Sequence, residues 1–470
     1  MLINKPWCVV SVHKSVRELD AKLYLSFKLL SRDFNIILGR SGPLLRSCQN
    51  LPKGIYCEFR HLITRKKHVE KLRNHGFKVV AFDEEAPSFV DPIAYARVHV
   101  SEEVVSLCDQ CYTWGDYHHD VAIGAVSQDL KYRFHCTGHP RFDMLREPAK
   151  QIYLQKINEI KSRYKDFVLL TSNTGAWVLD GDVDEKWDSY RLRGIIEDNE
   201  QEYSKFYSEF KHRMARHESL VELVRMVAKA RPNLNIVIRP HFNETEAHWN
   251  KSFANRPSNI HIIHEGSSSP WIMAASIIIH NSCTSAIEAV LARTPAITFR
   301  SIRDDRFDAL LPNDLSIEAS TTNDVIYLID KFLNSERSNQ EAYWKEKDPL
   351  FDRYFAARKG VTATDRVMHL IASIAFRHSK NIELIDTYIR SRKMIVLQDQ
   401  VFGIINEVKK SIKRILSHFL RFKNIPLEPR ITKETIDDRI AQFRKFDDSL
   451  GEKEILVSDL GEEIFFIRTA

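Results

Sequence analysis

Apolar and polar positions follow two different rhythms along the first part of the chain. Short continuous apolar runs at Trp7–Val12, 34–38 and 77–82 predict buried strands. Between them, apolar residues recur at helical spacing over residues 16–31, and residues 66–75 predict a second helix. Strands that alternate with helices in this way predict a parallel sheet with helices on both faces.

The same alternation of predicted strands and helices begins again in the middle of the chain. A charged region over about 184–230 predicts long helical structure, and residues 284–293 predict a short helix. Strands are predicted at Phe167–Thr171, 235–238, 260–264, 276–280 and Ala296–Phe299. Two doubly wound domains in tandem place a ligand cleft between them, outside the carboxyl ends of their strands.

We therefore expect an α/β fold with two Rossmann-like doubly wound domains that face a central cleft, followed by a charged helical tail. The expected boundaries are 1–150, 151–375 and 376–470. Within the tail, residues 401–422 place apolar side chains on one helix face and Lys and Arg on the other. Such a basic amphipathic helix can lie on an anionic membrane surface or dock on a partner. A helix packed on the body of the protein with a solvated basic face is the alternative interpretation.

Composition narrows the class of protein. The 470 residues include 69 Lys and Arg and 63 Asp and Glu, so the net charge is +6. This positive charge is too small for a chain whose main partner is nucleic acid. With Gly 15 and Pro 16, fibrous and disordered classes are excluded. No apolar run approaches the ~18 residues of a membrane span. The odd number of cysteines, 7, indicates reduced thiols and a cytoplasmic protein.

A structural zinc site is the one metal hypothesis that the spacing raises. Cys108 and Cys111 are separated by two residues, and His135, Cys136 and His139 follow further along the chain. Cys108 and Cys111 lie at a predicted helix-to-strand junction, where small half-buried cysteines are common. We therefore expect no metal and no cofactor.

A small polar turn follows the buried strand of the second predicted domain and precedes a short helix. It contains Asn281, Ser282, Thr284 and Ser285, and Glu288 lies one turn into the helix. Backbone amides and hydroxyls at a helix start predict a phosphate site. Glu288 is then expected to accept hydrogen bonds from a ribose. Ordinary helix capping is the alternative.

Two further strand ends are expected to face the same cleft. Arg239 and His241 flank a proline that ends a strand, and a cation and an imidazole there suit a diphosphate or a leaving phosphate. Ser172, Asn173 and Thr174 form a third polar turn after another strand. This turn either covers the phosphates of a ligand with its backbone amides or is simply a turn.

The first predicted domain contributes both positively and negatively charged side chains to the cleft. Lys14 and Arg17 follow the first strand and are expected to face the cleft. Asp83, Glu84 and Glu85 end another strand, where adjacent carboxylates raise one another's pKa and supply a general base or a nucleophile. A solvated acidic loop is the alternative.

Several of these stretches together resemble a known family. Residues 14–23, 83–85, 112–116 and the run 137–146, which reads TGHPRFDMLR, occur in the order seen in bacterial surface carbohydrate biosynthesis proteins, which look like GT-B glycosyltransferases. The Arg239-Pro240-His241 turn and the Ser282-x-Thr284-Ser285-x-x-Glu288 helix start resemble motifs by which GT-B enzymes that use CMP-activated sialic acid or Kdo hold the nucleotide. The resemblance covers about residues 7 to 360.

The resemblance implies a metal-independent GT-B glycosyltransferase of bacterial lipopolysaccharide, O-antigen or capsule biosynthesis. A Kdo-like or sialic-acid-like sugar would pass from a CMP-linked donor to a glycan or lipid-linked glycan at the inner face of the cytoplasmic membrane. Arg239 and His241 would stabilise the departing phosphate. Lys14 and Arg17 would meet the donor carboxylate, and Glu85, or Asp83 or Glu84, would act as base or nucleophile.

Three other functions stay open at this point. One is a CDP-polyol phosphotransferase of the teichoic acid type, which has a similar fold and a similar Arg-Pro-His turn. Another is a GT-B enzyme that uses a UDP-sugar. The third is a non-catalytic scaffold in a polysaccharide assembly complex, with the tail as its docking element.

Overall fold

Two separate sheets organise the chain. The computed structural model describes residues 5–85, 91–192, 196–334, 337–378, 381, 383–389 and 429–470. The strands are β1 (Trp7–Val12), β2 (Asn35–Arg40), β3 (Ile55–Glu58), β4 (Lys78–Ala81), β5 (Gln110–Thr113), β6 (Phe134–Cys136), β7 (Phe167–Thr171), β8 (Asn235–Arg239), β9 (Ile260–Ile262), β10 (Ile277–His280), β11 (Ala296–Phe299), β12 (Ile317–Ala319), β13 (Ile455–Asp459) and β14 (Ile464–Thr469).

Helices cover both sheets. In chain order they are α1 (Ser15–Leu30), α2 (Ser41–Ser47), α3 (Lys66–Asn74), α4 (Pro92–His99), α5 (Glu102–Val105), α6 (Asp116–Gly124), α7 (Pro140–Asp143), α8 (Leu154–Tyr164), α9 (Ala176–Leu179), α10 (Val183–Leu192), α11 (Glu200–Ala230), α12 (Glu246–Ser252), α13 (Ser269–Ala274), α14 (Ser285–Leu291), α15 (Leu310–Asp314), α16 (Thr322–Leu333), α17 (Arg337–Tyr354), α18 (Ala363–Ser373) and α19 (Lys433–Phe443). None of the described helices is long and apolar enough to cross a membrane.

The first sheet has the order β13-β14-β2-β1-β3-β4-β5-β6. Strands β1 to β6 pair in parallel, and all six residues of β1 are buried, as expected for a strand covered on both faces. Chain order reverses between β1 and β3, whose carboxyl ends therefore flank a topological switch point. Ligands of doubly wound sheets bind outside such points.

The second sheet has the order β12-β11-β10-β7-β8-β9 and is parallel throughout. Counted from its own first strand, this is the Rossmann order, and its switch point lies between β7 and β10. The prediction of two Rossmann-like doubly wound domains is confirmed.

The chain returns to the first domain after α17. A Cβ on Gly115 would lie 2.3 Å from the carbonyl oxygen of Tyr354, and one on Gly138 would lie 2.4 Å from that of Ala356. The backbone at the end of α17 and directly after it is therefore pressed against two loops of the first domain. Helix α18 continues this return and packs on α1.

The described part of the predicted tail includes helix α19 and two strands. Helix α19 packs on α1, where the rings of Phe27 and Phe443 lie 5.8 Å apart. Strands β13 and β14 form an antiparallel pair, and β14 extends the first sheet beside β2. The predicted basic helix 401–422 lies outside the described residues. The boundaries 1–150, 151–375 and 376–470 stay a prediction.

Candidate functional site

The switch point of the second sheet brings together two of the predicted polar turns. Asn173, after β7, donates a hydrogen bond from Nδ2 to the carbonyl oxygen of Ser282, after β10, over 2.8 Å. The hydroxyls of Thr171 and Ser285 lie 2.6 Å apart. The carboxyl ends of neighbouring parallel strands share one sheet edge, and this explains why residues more than a hundred positions apart in sequence meet here.

Several polar groups of the turn after β10 are engaged within the protein. Asn281 donates from Nδ2 to the carbonyl oxygen of Phe299 over 2.7 Å. The Ser282 amide donates to Oδ1 of Asn313 over 3.1 Å, and Ser282 has a φ of 53°. Asn281 and Ser282 therefore shape the turn, whereas Thr284 is its exposed residue.

Glu244 supports two of the predicted positions, although nothing in the sequence pattern singled it out. Its fully buried carboxylate accepts hydrogen bonds from the Ser172 hydroxyl, the Gly175 amide and Nε1 of Trp249, each over 2.9 Å. It also accepts one from the His241 amide over 3.3 Å. Glu244 thereby joins the turn after β7 to the turn after β8.

His241 lies at the centre of the candidate site. Its Nδ1 lies 2.7 Å from Oδ1 of Asn243, which accepts a hydrogen bond when Nδ1 carries the proton, and the backbone amide of Asn243 lies 3.5 Å from the same nitrogen. Burial lowers the pKa of His241, and the charges of Arg17 and Arg213 lower it further, against the raising effect of Glu244. The imidazole is therefore neutral at neutral pH.

Arg239 does not point into the cleft as expected. Its guanidinium donates to the carbonyl oxygens of Glu265 over 2.7 Å and Gly266 over 3.0 Å, and it stacks on the ring of Trp271 at 5.2 Å. Burial lowers the pKa of Arg239 to about 10. This side chain holds the loop between β9 and α13, because that loop passes the end of β8 and presents its carbonyl groups.

Two arginines that the sequence pattern left unassigned lie at the second switch point. They come from α11, whose charged sequence is typical of a solvated helix. Arg213 donates to the Asn173 carbonyl oxygen over 3.1 Å, and Arg216 donates to Oδ1 of the same residue over 2.6 Å. The Arg216 charge is balanced by Asp308 at 3.3 Å, and Arg213, which also lies near His241, pairs with Glu209 at 2.8 Å.

The switch point of the first sheet is rich in cations. His13 follows β1 and stacks on Phe59, which follows β3, with ring centroids 4.2 Å apart. Burial lowers the pKa of His13 to about 4, and the neighbouring charges of Lys14, Arg60 and Arg17 add to this effect. These cations alternate with carboxylates at the place where doubly wound sheets bind ligands, since Arg17 pairs with Glu18 at 3.0 Å and Arg60 pairs with Glu85.

Two of the three predicted acids are buried away from the cleft. The Asp83 side chain accepts a hydrogen bond from the Tyr95 hydroxyl. Glu84 lies 2.9 Å from Nζ of Lys22 and 3.4 Å from Nε2 of His139. Burial alone would raise the pKa of Glu84, but Lys22 and His139 hold it well below its usual value. Asp83 and Glu84 are therefore embedded in internal charge networks.

Glu85 is the exposed member of the three. Its side chain is 42% exposed, pairs with Arg60 and lies 3.8 Å from Nη1 of Arg17. Across the cleft, Nζ of Lys14 lies 5.4 Å from the ring centroid of Phe242, the neighbour of His241. Of the three acids, Glu85 is the one that can reach a substrate.

Glu288 connects the second domain to the first. Its Oε1 pairs with Nη2 of Arg141 at 3.0 Å, and its Oε2 accepts longer hydrogen bonds from the hydroxyls of Ser268 and Ser269. Arg141 also donates from Nη1 to the Glu84 carbonyl oxygen over 3.0 Å. A ligand that binds Glu288 thus lies at the boundary of the two domains.

No protein-family model matches the chain, and no curated protein matches it. Solved structures that are similar include the wall teichoic acid polymerase TagF, at 12% identity and a TM-score of 0.48 over 79% of this chain and 89% of that one. Two UDP-GlcNAc 2-epimerases are also similar. The enzyme of Methanocaldococcus jannaschii has 12% identity and a TM-score of 0.46, and that of Neisseria meningitidis has 10% identity and a TM-score of 0.47. Each match covers 79% of this chain and 100% of the epimerase. At these identities no residue role is carried over.

Proposed function

We propose that the protein is a metal-independent GT-B glycosyltransferase that transfers a sugar from a nucleotide donor to a glycan acceptor. The proposal rests on one observation: the two switch points carry complementary chemistry. Cations and the exposed Glu85 belong to the first, and His241, Arg213 and Glu288 belong to the second. Transfer between two substrates needs this combination of a charge-stabilising group and an acid or base.

The donor nucleotide binds at the second switch point. Glu288 accepts hydrogen bonds from the ribose hydroxyls, and Ser285 and Thr284 lie at the start of the same helix. His241 and Arg213 stabilise the phosphate as the glycosidic bond breaks, because negative charge develops on the leaving group in the transition state. Arg239 contributes indirectly, through the loop that it holds.

The donor sugar carries a carboxylate, as a CMP-linked Kdo or another CMP-linked nonulosonate does. Lys14 and Arg17 supply the cations for it, and the position of Lys14 above Phe242 supports contact with a ligand held by the second domain. Charge-assisted hydrogen bonds to a carboxylate are stronger than neutral ones, so this pair favours a sugar acid over a neutral sugar.

The acceptor binds on the first domain, next to Glu85. In an inverting reaction Glu85 removes the proton of the acceptor hydroxyl, and in a retaining reaction it attacks the anomeric carbon. The acceptor is a glycan or lipid-linked glycan of a bacterial surface polysaccharide. The protein works in the cytoplasm, with the basic segment 401–422 at the inner membrane surface.

Product analysis tests this function. Purified protein is incubated with CMP-Kdo or CMP-sialic acid and acceptor glycans, and we expect release of CMP with formation of a new glycosidic bond. A new phosphodiester formed from CDP-glycerol would establish a polyol phosphotransferase instead. If His241→Ala and Glu288→Ala variants sustained normal polysaccharide production in cells, the protein would be a scaffold.

A further inference from the structure

A cavity lies between the domains, at the two segments that connect them. Its volume is about 260 Å³, a little below the range typical of small-molecule sites. It is bounded by the connection that contains α7, by the end of α14, by α17 and by residues 355–359. Helix α14 begins at the candidate site with Ser285 and ends at this cavity with Leu291. The cavity is thus separate from both switch points.

The floor of the cavity is apolar and largely aromatic. Phe351 and Phe355 are each 3% exposed, Trp344 is 6% exposed, and the ring of Phe142 packs edge-on against Phe355 at 5.0 Å. Apart from the charged side chains, only His139 and the Trp344 indole carry a polar atom among the described lining residues. A heterocyclic base would find few hydrogen-bond partners here, whereas a hydrocarbon group would replace water at an apolar surface.

The rim carries positive charge. Its charged side chains are Arg146, Lys150, Arg293, Arg358 and Lys359 against Asp143, Glu147 and Asp348. Lys150 pairs with Glu147, and Arg358 pairs with Asp348 at 2.6 Å. Asp143 accepts hydrogen bonds from the amides of Ala363 and Thr364 at the start of α18.

Among the described residues, three of these cations are held less closely by carboxylates than Lys150 and Arg358 are. Arg146 donates to the carbonyl oxygens of Ala357 and Gly360, so its charge is not neutralised there. Arg293 and Lys359 each reach Asp348 only at 3.9 Å. Such a rim favours an anion above the apolar floor.

We propose that this cavity binds an amphipathic anion, a short prenyl or alkyl phosphate, with its hydrocarbon on the aromatic floor and its phosphate at Arg146, Arg293 and Lys359. The ligand contacts both connections between the domains. It therefore stabilises the domain arrangement in which the cavity is formed, since a ligand favours the state that it binds better.

The test is a calorimetric titration of the full chain with geranyl monophosphate, geraniol and inorganic phosphate. We expect saturable binding of geranyl monophosphate at least about tenfold tighter than binding of either half, because both the floor and the rim contribute. Binding no tighter than that of geraniol or phosphate alone would overturn the proposal.

Variants locate the binding site. The double variant Arg293→Gln, Lys359→Gln changes side chains that are 53% and 69% exposed, so the fold is retained, and we expect geranyl monophosphate affinity to fall at least about tenfold. Arg353→Gln, on the same helix as Trp344 but outside the cavity, is the matched control and should leave affinity unchanged. Unchanged affinity in the double variant, or affinity lost only in His241→Ala, would overturn the proposal.

Discussion

Arg141 of the first domain and Glu288 of the second form an ion pair, with 3.0 Å between Nη2 and Oε1. Both side chains are largely buried, at 11% and 12% exposure, so little solvent screens the pair. Because Glu288 is also the proposed ribose ligand, a nucleotide that binds there meets Arg141 as well. This relationship couples nucleotide binding to the contact between the domains.

Glu288→Gln should weaken nucleotide binding. The change keeps the shape of the side chain and removes the charge that accepts ribose hydroxyls and pairs with Arg141, so we expect the Kd to rise about tenfold, equivalent to about 1.4 kcal/mol. Isothermal titration calorimetry with CMP measures this Kd. Glu222→Gln, whose side chain is 62% exposed on α11, is the matched control. Equal affinities in the two variants would remove Glu288 from the site.

Glu85→Gln should abolish most turnover while leaving nucleotide binding intact. A carboxylate that acts as general base contributes about 10²-fold or more to the rate, and its amide cannot take up a proton. We expect kcat to fall by that factor. Glu103→Gln, with a side chain 59% exposed on α5, serves as control. Full activity in Glu85→Gln would exclude the residue as base and as nucleophile.

Nucleotide affinity should increase as the pH falls toward the lowered pKa of His241. The pKa of His241 is lowered by burial and by Arg17 and Arg213. A bound phosphate raises the pKa of His241. Nucleotide binding therefore takes up a proton at pH values between the pKa in the free protein and the pKa in the complex. In the His241→Gln variant, this increase in nucleotide affinity at lower pH should vanish. The nucleotide's own titration is common to both proteins, and the difference between their Kd profiles therefore isolates His241. Parallel profiles would contradict the assignment.

Gly138→Ala should destabilise the protein strongly. Gly138 has a φ of 81°, and a Cβ there would lie 2.4 Å from the backbone oxygen of Ala356, so either the loop or the returning chain must move. We expect a lower thermal midpoint. Gly124→Ala, at the end of α6 with no atom within 4 Å of the added Cβ, should be neutral or slightly stabilising. Equal midpoints would contradict the close packing.

The strands of the second sheet could be predicted from sequence because parallel strands buried on both faces are continuous apolar runs. Strands β7 and β11 have the predicted bounds, and β8 is longer than predicted by only Arg239. The meeting of the turns after β7 and β10 followed from the fold class alone. In the first sheet, the four-residue β3 (Ile55–Glu58) has too short a pattern to mark the switch point that it completes with β1.

Side-chain direction was less predictable, because it depends on neighbours that are distant in sequence. Arg239 turns to the carbonyl groups of the loop after β9, whose path no local pattern reveals. Arg213 lies on a 31-residue helix whose charges indicate a solvated surface, yet the helix passes over the turn at Asn173. The three neighbouring acids also differ in burial, which the sequence did not indicate. Asp83 and Glu84 are buried, whereas Glu85 is exposed.

The most direct test is titration of the purified protein with CMP, CDP, UDP and GDP. The proposed function predicts saturable binding with a preference for CMP, lost when His241→Ala and Glu288→Gln are combined in a variant that keeps its fold. A preference for UDP would remove the sugar-acid donor. Absence of binding by all four nucleotides, or unchanged CMP affinity in the double variant, would contradict nucleotide binding at the second switch point.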